Sequence, residues 1–428
     1  MMIKALYRQR LKWLLSLCLA CSHWAMAQTG ASLSLDDCLE MAKQHYPLIR
    51  QYALIEKTRE YSIDNAQKGV LPQFNVAGQA TYQSDVTQVP ISFPNVDIPT
   101  LSKGQYRLYG EVSQSVTELF TVKDQKEFIN NKSGVETQKT EVELYKLRER
   151  INNLYFGILL IDAQVQQTDL LKKDIQSGIE KTNIAIANGV ALKSTADNLK
   201  AELLKADQRT IELKAAREGY ADMLALLIGR PVDRNTILEK PHRQVLSLSI
   251  NRPELKLFDL QQQSFDVQDK LITARNLPRL SIFFQGGVGR PGLNMLDNKL
   301  RGYYIGGLRL NWNFAGFYTH KNDREMLTLS QNAIDVQRET FLFNTNLTLK
   351  QQSADITKME ELIGTDKSII ALRENVKNAT QNQLTYGTAT TNDYLIAVNA
   401  EDVARQNLVL HEIQLLMTEY NAQATAGN

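Results

Sequence analysis

From Phe74 the chain alternates. Phe74, Val76, Gly78, Ala80 and Tyr82 are apolar or small, with Asn75, Ala77, Gln79 and Thr81 between them. A period of two predicts a strand with one oily face. The stretch ending near Lys68 is patterned as an amphipathic helix instead. Pro72 marks the change, since proline cannot continue a helix. A similar junction stands around Pro278, in "LITARNLPRLSIFFQGGVG".

A second strand follows each junction. In "YRLYGEVSQSV" one face holds Tyr106, Leu108, Gly110, Val112 and Val116, and the other holds Arg107, Glu111, Ser113 and Ser115. In "YYIGGLRLNWNF" Tyr304, Leu308, Leu310, Trp312 and Phe314 oppose Arg309, Asn311 and Asn313. The segments 83–103 and 289–302 carry Pro90, Pro94, Pro99 and Pro291 and predict loops between paired strands.

Long helices come next. All ten prolines lie outside 100–230 and 292–428. Leu144, Leu147, Ile151, Leu154, Ile158, Ile161 and Val165 step by three and four, and Ile175, Ile179 and Ile186 resume the spacing. That is a heptad seam, interrupted by Lys172 and Thr182. A helix over 120–187 would run on the order of 100 Å. Gly189 and Gly387 suit helix C-terminal caps. Ser194-x-x-Asp197 and Thr390-x-x-Asp393 suit capping boxes that use Asp for Glu.

The order therefore repeats. Pro47 and Pro72 stand 25 residues apart, as do Pro253 and Pro278. A first repeat over 28–229 holds strands near 74–83 and 105–117 and helices near 120–187 and 194–228. Residues 230–250 link it to a second repeat over 251–428, with strands near 280–289 and 303–314 and helices near 318–386 and 391–424.

Composition changes this picture at the N-terminus. Lys4, Arg8, Arg10 and Lys12 precede "WLLSLCLA", and the segment ends "AMA" at Ala27. Residues 1–27 form a secretory signal peptide, with lipidation at Cys21 as the competing reading. Four basic and no acidic residues fall there, so cleavage moves the formal charge from +2 to −2. The remaining chain has no basic excess to suggest nucleic acid. Of three cysteines only Cys38 lies beyond the signal. No later run of eighteen apolar residues predicts a membrane helix.

Four strands cannot close a barrel, and an open edge is not tolerated in lipid. In a membrane they must be completed by other copies of the chain. Arg107, Glu111 and Arg309 then face the lumen, because an Arg on the lipid face costs roughly 2–4 kcal/mol at the midplane. The competing reading is a soluble sheet covered by helices, in a non-conducting periplasmic coiled-coil scaffold.

From residue 28 onward the chain resembles the outer-membrane efflux protein family, the TolC-like exit ducts. The resemblance is carried by the duplicated order, by "LPQF" and "LPRL" at the strand openings, by "YADMLALLIGRPV" and by "YGTATTNDYLIA". It implies a mainly α fold with membrane β-structure. Three chains would supply four strands each to a twelve-stranded barrel, continued by a helical tunnel. It implies a passive exit duct for efflux or type I secretion, in the outer membrane of a Gram-negative bacterium and extending into the periplasm. Its partners would be two further copies, outer-membrane lipid, a periplasmic adaptor (membrane fusion) protein and an inner-membrane transporter.

No catalytic constellation, cofactor motif or metal-ligand spacing is present in the sequence. Asp393 stands where the family motif carries an aspartate lining the closed tunnel entrance. The family's second acidic position is Ile396 here. Asp393, and with it Asp197, is thus an aperture residue or a helix-start carboxylate. Gly189, Val190 and Ala191, with Gly387, Thr388 and Ala389, would be the adaptor-contacting tips or plain helix–helix turns.

Overall fold

The computed structural model describes residues 32–88, 90, 100–244 and 249–428. The expected signal peptide with Cys21, Pro94 and Pro99 of the first loop, and 245–248 of the linker lie outside the described residues.

Among the described residues the chain is mostly helical, with one four-stranded sheet. In order it forms α1 (Leu35–His45), α2 (Gln51–Gly69), β1 (Gln73–Tyr82), β2 (Gly104–Ser115), α3 (Val116–Tyr145), α4 (Leu147–Ala187), α5 (Lys193–Ile228), α6 (Pro253–Arg275), β3 (Arg279–Arg290), β4 (Arg301–Asn311), α7 (Ala315–Thr385) and α8 (Thr391–Ala426). None of the described helices is long and apolar enough to cross a membrane.

Two compact units are built from interleaved segments, so each draws on both halves of the chain. One holds α1, α4, α5, α8 and the part of α7 from Leu347. The other holds α2, α3, α6, the sheet and the part of α7 up to Asn346.

In the helical unit, α4 packs against both α5 and α8. The heptad seam is the reason. Leu147, Ile151, Leu154, Ile158, Ile161 and Ile175 are buried, and so is Thr182, whose hydroxyl meets that of Thr391 at 3.3 Å. Lys172 reaches Asp207 of α5 at 2.9 Å, so the charge on the seam is paired. Helix α1 opens on a capping box. Ser34 Oγ accepts from the Asp37 N–H at 3.2 Å, and the Asp37 carboxylate accepts from the Ser34 N–H at 3.3 Å. A parallel bridge joins Leu33 to Leu238. The buried Tyr155 hydroxyl lies 2.7 Å from the carbonyls of both Leu33 and Glu239.

In the other unit α3 packs against α2, α6 and β3. The sheet is antiparallel throughout, in the order β1-β2-β3-β4. Both hairpins leave one end, and all four helix connections leave the other.

Several boundaries differ from the sequence expectation. The single helix expected over 120–187 is divided at Lys146 between α3 and α4. Val116 starts α3 rather than ending a strand, because Ser115 Oγ accepts from the Glu118 N–H at 3.3 Å and turns the backbone into a helix. Trp312 and Phe314 lie beyond the end of β4. There the Trp312 indole donates to the Asn276 carbonyl at 3.2 Å, and its ring meets Phe314 at 4.8 Å between centroids.

Candidate functional site

The sheet sorts its side chains by face. Residues directly opposite in the register leave the same side of a sheet. One face gathers Phe74, Val76 and Tyr82 of β1 with Leu108 and Val112 of β2. It continues through Ile282, Phe284 and Val288 of β3 to Tyr304, Leu308 and Leu310 of β4. Among the described residues no other element covers these side chains. Phe74 is 69% exposed and Leu308 70%. The edge strands β1 and β4 each pair on one side only among the described residues.

The opposite face is polar. Gln79, Arg107, Gly289 and Arg301 form one row across the four strands. Asn75, Glu111, Gln285 and Ile305 form another. Arg107, Glu111 and Arg309 all leave this face, as the alternation in the sequence predicts. Arg309 and Glu111 come together across β3 as a bidentate pair at 2.9 and 3.1 Å. The guanidinium also lies 4.4 Å over the Phe283 ring. Arg107 stands apart from this pair, toward the hairpin end.

The two long-helix turns lie in the helical unit and share the same pair of backbone hydrogen bonds. The Val190 N–H donates to the Ala185 carbonyl at 2.9 Å, and that of Gly189 to Ile186 at 3.0 Å. The Thr388 N–H donates to Gln383 at 2.9 Å, and that of Gly387 to Leu384 at 3.2 Å. This double bond is the Schellman motif. It needs a left-handed residue, and Gly189 and Gly387 have φ of +74° and +73°. Ala191 and Ala389 follow within each turn. Between the two turns is a cleft of about 830 Å³, walled by Ile184, Val190, Leu192, Leu384 and Tyr386.

The starts of the following helices differ. Thr390 caps α8 as expected: its hydroxyl accepts from the Asp393 N–H at 3.2 Å, and the Asp393 carboxylate accepts from the Thr390 N–H at 2.9 Å. The Thr390 hydroxyl also donates to that carboxylate at 2.7 Å, and with the Thr390 N–H it holds the Asp393 carboxyl below its usual range. The box expected at Ser194 and Asp197 does not form. The cap residue of α5 is Leu192, which has no side-chain acceptor. Leu192 and Thr390 each stand three residues past the turn glycine. The residue matching Asp393 is therefore Thr195, not Asp197. Asp197 is exposed on the next turn of helix, 3.4 Å from Lys200.

A cluster of charges around the buried Glu401, behind the turns, leaves little signal in the sequence. Lys377 of α7 lies 3.0 Å from Asp174 of α4 and 2.6 Å from Glu401 of α8. Glu401 also accepts from Arg405 at 2.7 Å. Burial pushes the Glu401 carboxyl up, but Lys377 and Arg405 outweigh it and leave a net lowering. The Tyr394 hydroxyl donates to the Asp174 carbonyl at 3.1 Å. Its ring packs so closely on Gly178 that a Cβ there would approach within 2.8 Å. Only the Glu401–Arg405 spacing could be read locally. The other pairs join residues more than twenty positions apart. Among the described residues no group of His, Cys, Asp or Glu is placed to hold a metal ion.

No protein-family model matches the sequence, and no curated protein matches it. Solved structures do. The outer membrane protein VceC from Vibrio cholerae matches with a TM-score of 0.65 at 14% identity, covering 92% of this chain and 96% of that one. CusC, whose structures address folding and transmembrane channel formation, matches at 0.66 and 13% identity, with 92% of each chain covered. The open state of the MtrE outer membrane channel of Neisseria gonorrhoeae matches at 0.65 and 14% identity, covering 92% of this chain and 89% of that one. This chain therefore has the fold of outer membrane channels, over nearly its whole length.

Proposed function

We propose that three copies of this chain form an outer-membrane exit duct of a Gram-negative bacterium. The observation that carries the reading is the sheet. Among the described residues its oily face is bare, its other face is polar, and both edges are unpaired. Edge N–H and C=O groups left open in hydrocarbon cost several kcal/mol each. Strands of 10–12 residues are long enough to cross a bilayer at a tilt. Closing β4 of one copy onto β1 of the next removes every edge. Three copies give twelve strands, with the oily face to lipid and Arg107, Glu111 and Arg309 to the lumen.

A second bare stripe fits the same arrangement. On α7, Met326, Leu329, Val336 and Phe343 are exposed at heptad spacing. A neighbouring copy would cover them. The fold shared with VceC, CusC and MtrE supports this reading, and a free-standing scaffold leaves the oily sheet unexplained.

In this reading the hairpins point out of the cell and the helices extend into the periplasm. The duct is passive and contains no catalytic centre. An inner-membrane transporter provides the drive for efflux or type I secretion, and a periplasmic adaptor docks at the turns around Gly189, Val190, Ala191, Gly387, Thr388 and Ala389. Asp393, three times around the axis, lines the aperture. Asp197, on the next helical turn and beside Lys200, would line the wall behind it. Mass measurement of the purified protein in mild detergent tests the assembly. Three chains are expected, and a folded monomer that conducts contradicts it.

A further inference from the structure

We propose that Lys103, Arg107 and Arg301 make the hairpin end of the polar sheet face an anion-attracting ring, and that the duct favours small anionic solutes. The inference rests on the duct reading above. It begins with the row Gln79–Arg107–Gly289–Arg301, whose members are directly opposite one another. Gly289 places no side chain between the two arginines. A Cβ there would lie 3.4 Å from Arg107 Cγ and 2.8 Å from the Pro291 carbonyl, so the Arg107 stem leans over the glycine. The next row repeats the arrangement with aromatics, as Tyr109 and Tyr303 flank Gly287. A Cβ on Gly287 would come within 2.6 Å of Tyr109 Cβ. The outcome is a shallow glycine trough between guanidinium and phenol groups.

Charge is not balanced along this face. Toward the helix end, Arg309 is neutralised by Glu111, and Arg279 adds one charge at the strand start. At the hairpin end, Arg301 is paired with Asp297 at 2.9 Å. The Arg107 and Lys103 side chains have no hydrogen bond or ion pair among the described residues. Lys103 continues the same face, because its carbonyl accepts from the Gln83 N–H at 2.9 Å, one step beyond the Tyr82–Gly104 pair. Asp85, Asp97 and Lys299 also lie in the hairpin segments, and with Lys103, Arg107, Arg301 and Asp297 they bring four positive and three negative charges per chain to the hairpin end. The ring therefore retains positive charge. Rings of Arg and Lys set anion preference in pores, and low-dielectric walls focus such a field on the solution inside. Guanidinium groups beside phenol hydroxyls suit carboxylate, phosphate or sulfate oxygens.

The test is the reversal potential of the purified protein in planar bilayers under a KCl gradient. The chloride-to-potassium permeability ratio is expected above one with Asp393→Asn present throughout, which removes the aperture carboxylates that would otherwise favour potassium. Arg107→Gln should lower it about twofold or more at about 0.1 M salt, with the difference shrinking near 1 M as the screening length falls. Arg107→Lys should retain the ratio. Gln79→Glu places a carboxylate directly opposite Arg107 without touching it and should lower the ratio as well. This second variant decides the matter if Arg107→Gln does not insert. A ratio at or below one in the Asp393→Asn protein, or a ratio unchanged by Gln79→Glu in a conducting channel, overturns the inference and leaves the duct reading standing. Absence of conductance in the wild-type protein overturns the duct reading and this inference with it.

Discussion

Lys377 Nζ lies 2.6 Å from a carboxylate oxygen of Glu401, whose side chain is only 3% exposed. With Asp174 on α4, the lysine ties three helices at one point behind the turns. A buried acid loses much when one partner is removed, because its charge stays and its compensation goes. Lys377→Met should therefore destabilise the fold by about 3 kcal/mol, near the low end for a broken buried pair because Arg405 still holds Glu401. Adding Glu401→Leu should recover most of the loss. Thermal melting of the single and double variants in detergent checks this, and additive losses would contradict it.

The same region predicts a pH dependence in which two carboxyls act in opposite directions. Asp402 is buried, accepting from Gln167 at 3.2 Å and Gln406 at 2.7 Å. Burial raises its carboxyl above the usual range, and the two amides offset only part of that. An acid with a raised folded pKa favours the fold while protonated. It loses that contribution as pH rises through the folded value. Asp402→Asn should thus stabilise the protein at neutral pH, by about 1 kcal/mol. Glu401, with its lowered pKa, contributes stability above about pH 4, the ordinary glutamate range, and loses it as pH falls through the lower folded value. Melting curves between pH 3 and 8 should show Glu401→Gln flattening the acid limb and Asp402→Asn lifting the neutral one.

Backbone geometry at the turns makes a third prediction. Gly189 and Gly387 have open space around them, so a Cβ meets nothing. The cost of Gly→Ala is then conformational alone, about 1–2 kcal/mol at each left-handed position. Losing the α8 cap by Thr390→Ala should cost about 1 kcal/mol, while Ser194→Ala should cost almost nothing, since it caps no helix. Equal losses at Thr390 and Ser194 would contradict the cap assignment.

Charge removal at the aperture makes a fourth. Asp393→Asn retains an acceptor for the Thr390 N–H and removes the negative charge. If three copies line the entrance, block by divalent cations from the periplasmic side should weaken severalfold, with little change in assembly. Unchanged block with a lower melting temperature would make Asp393 a helix-start residue only.

What could be read from the sequence and what could not divide along physical lines. Strand faces were legible because alternation at Phe74–Tyr82 depends on local chemistry alone. The α4 seam was legible for the same reason, and Ile151, Ile158 and Ile175 are buried as the spacing predicts. Helix α5 lies where the sequence places it, but its cap does not, because Ser194 and Asp197 match a capping pattern that the backbone does not use. The distance from Gly189 to Leu192 fixes the cap, and leucine carries no signal. The Lys377–Asp174 pair was invisible, since each residue alone looks like one more charge on a solvated face. Arg309 and Glu111 could be assigned to one face, but their contact depends on the intervening β3 register.

Membership of the sheet in a closed pore is the central claim. Conductance of the purified wild-type protein in a planar bilayer tests this directly. Discrete conductance steps from a preparation that runs as three chains are predicted. Protein that is folded and associates with lipid, yet gives no conductance at any voltage, would contradict it.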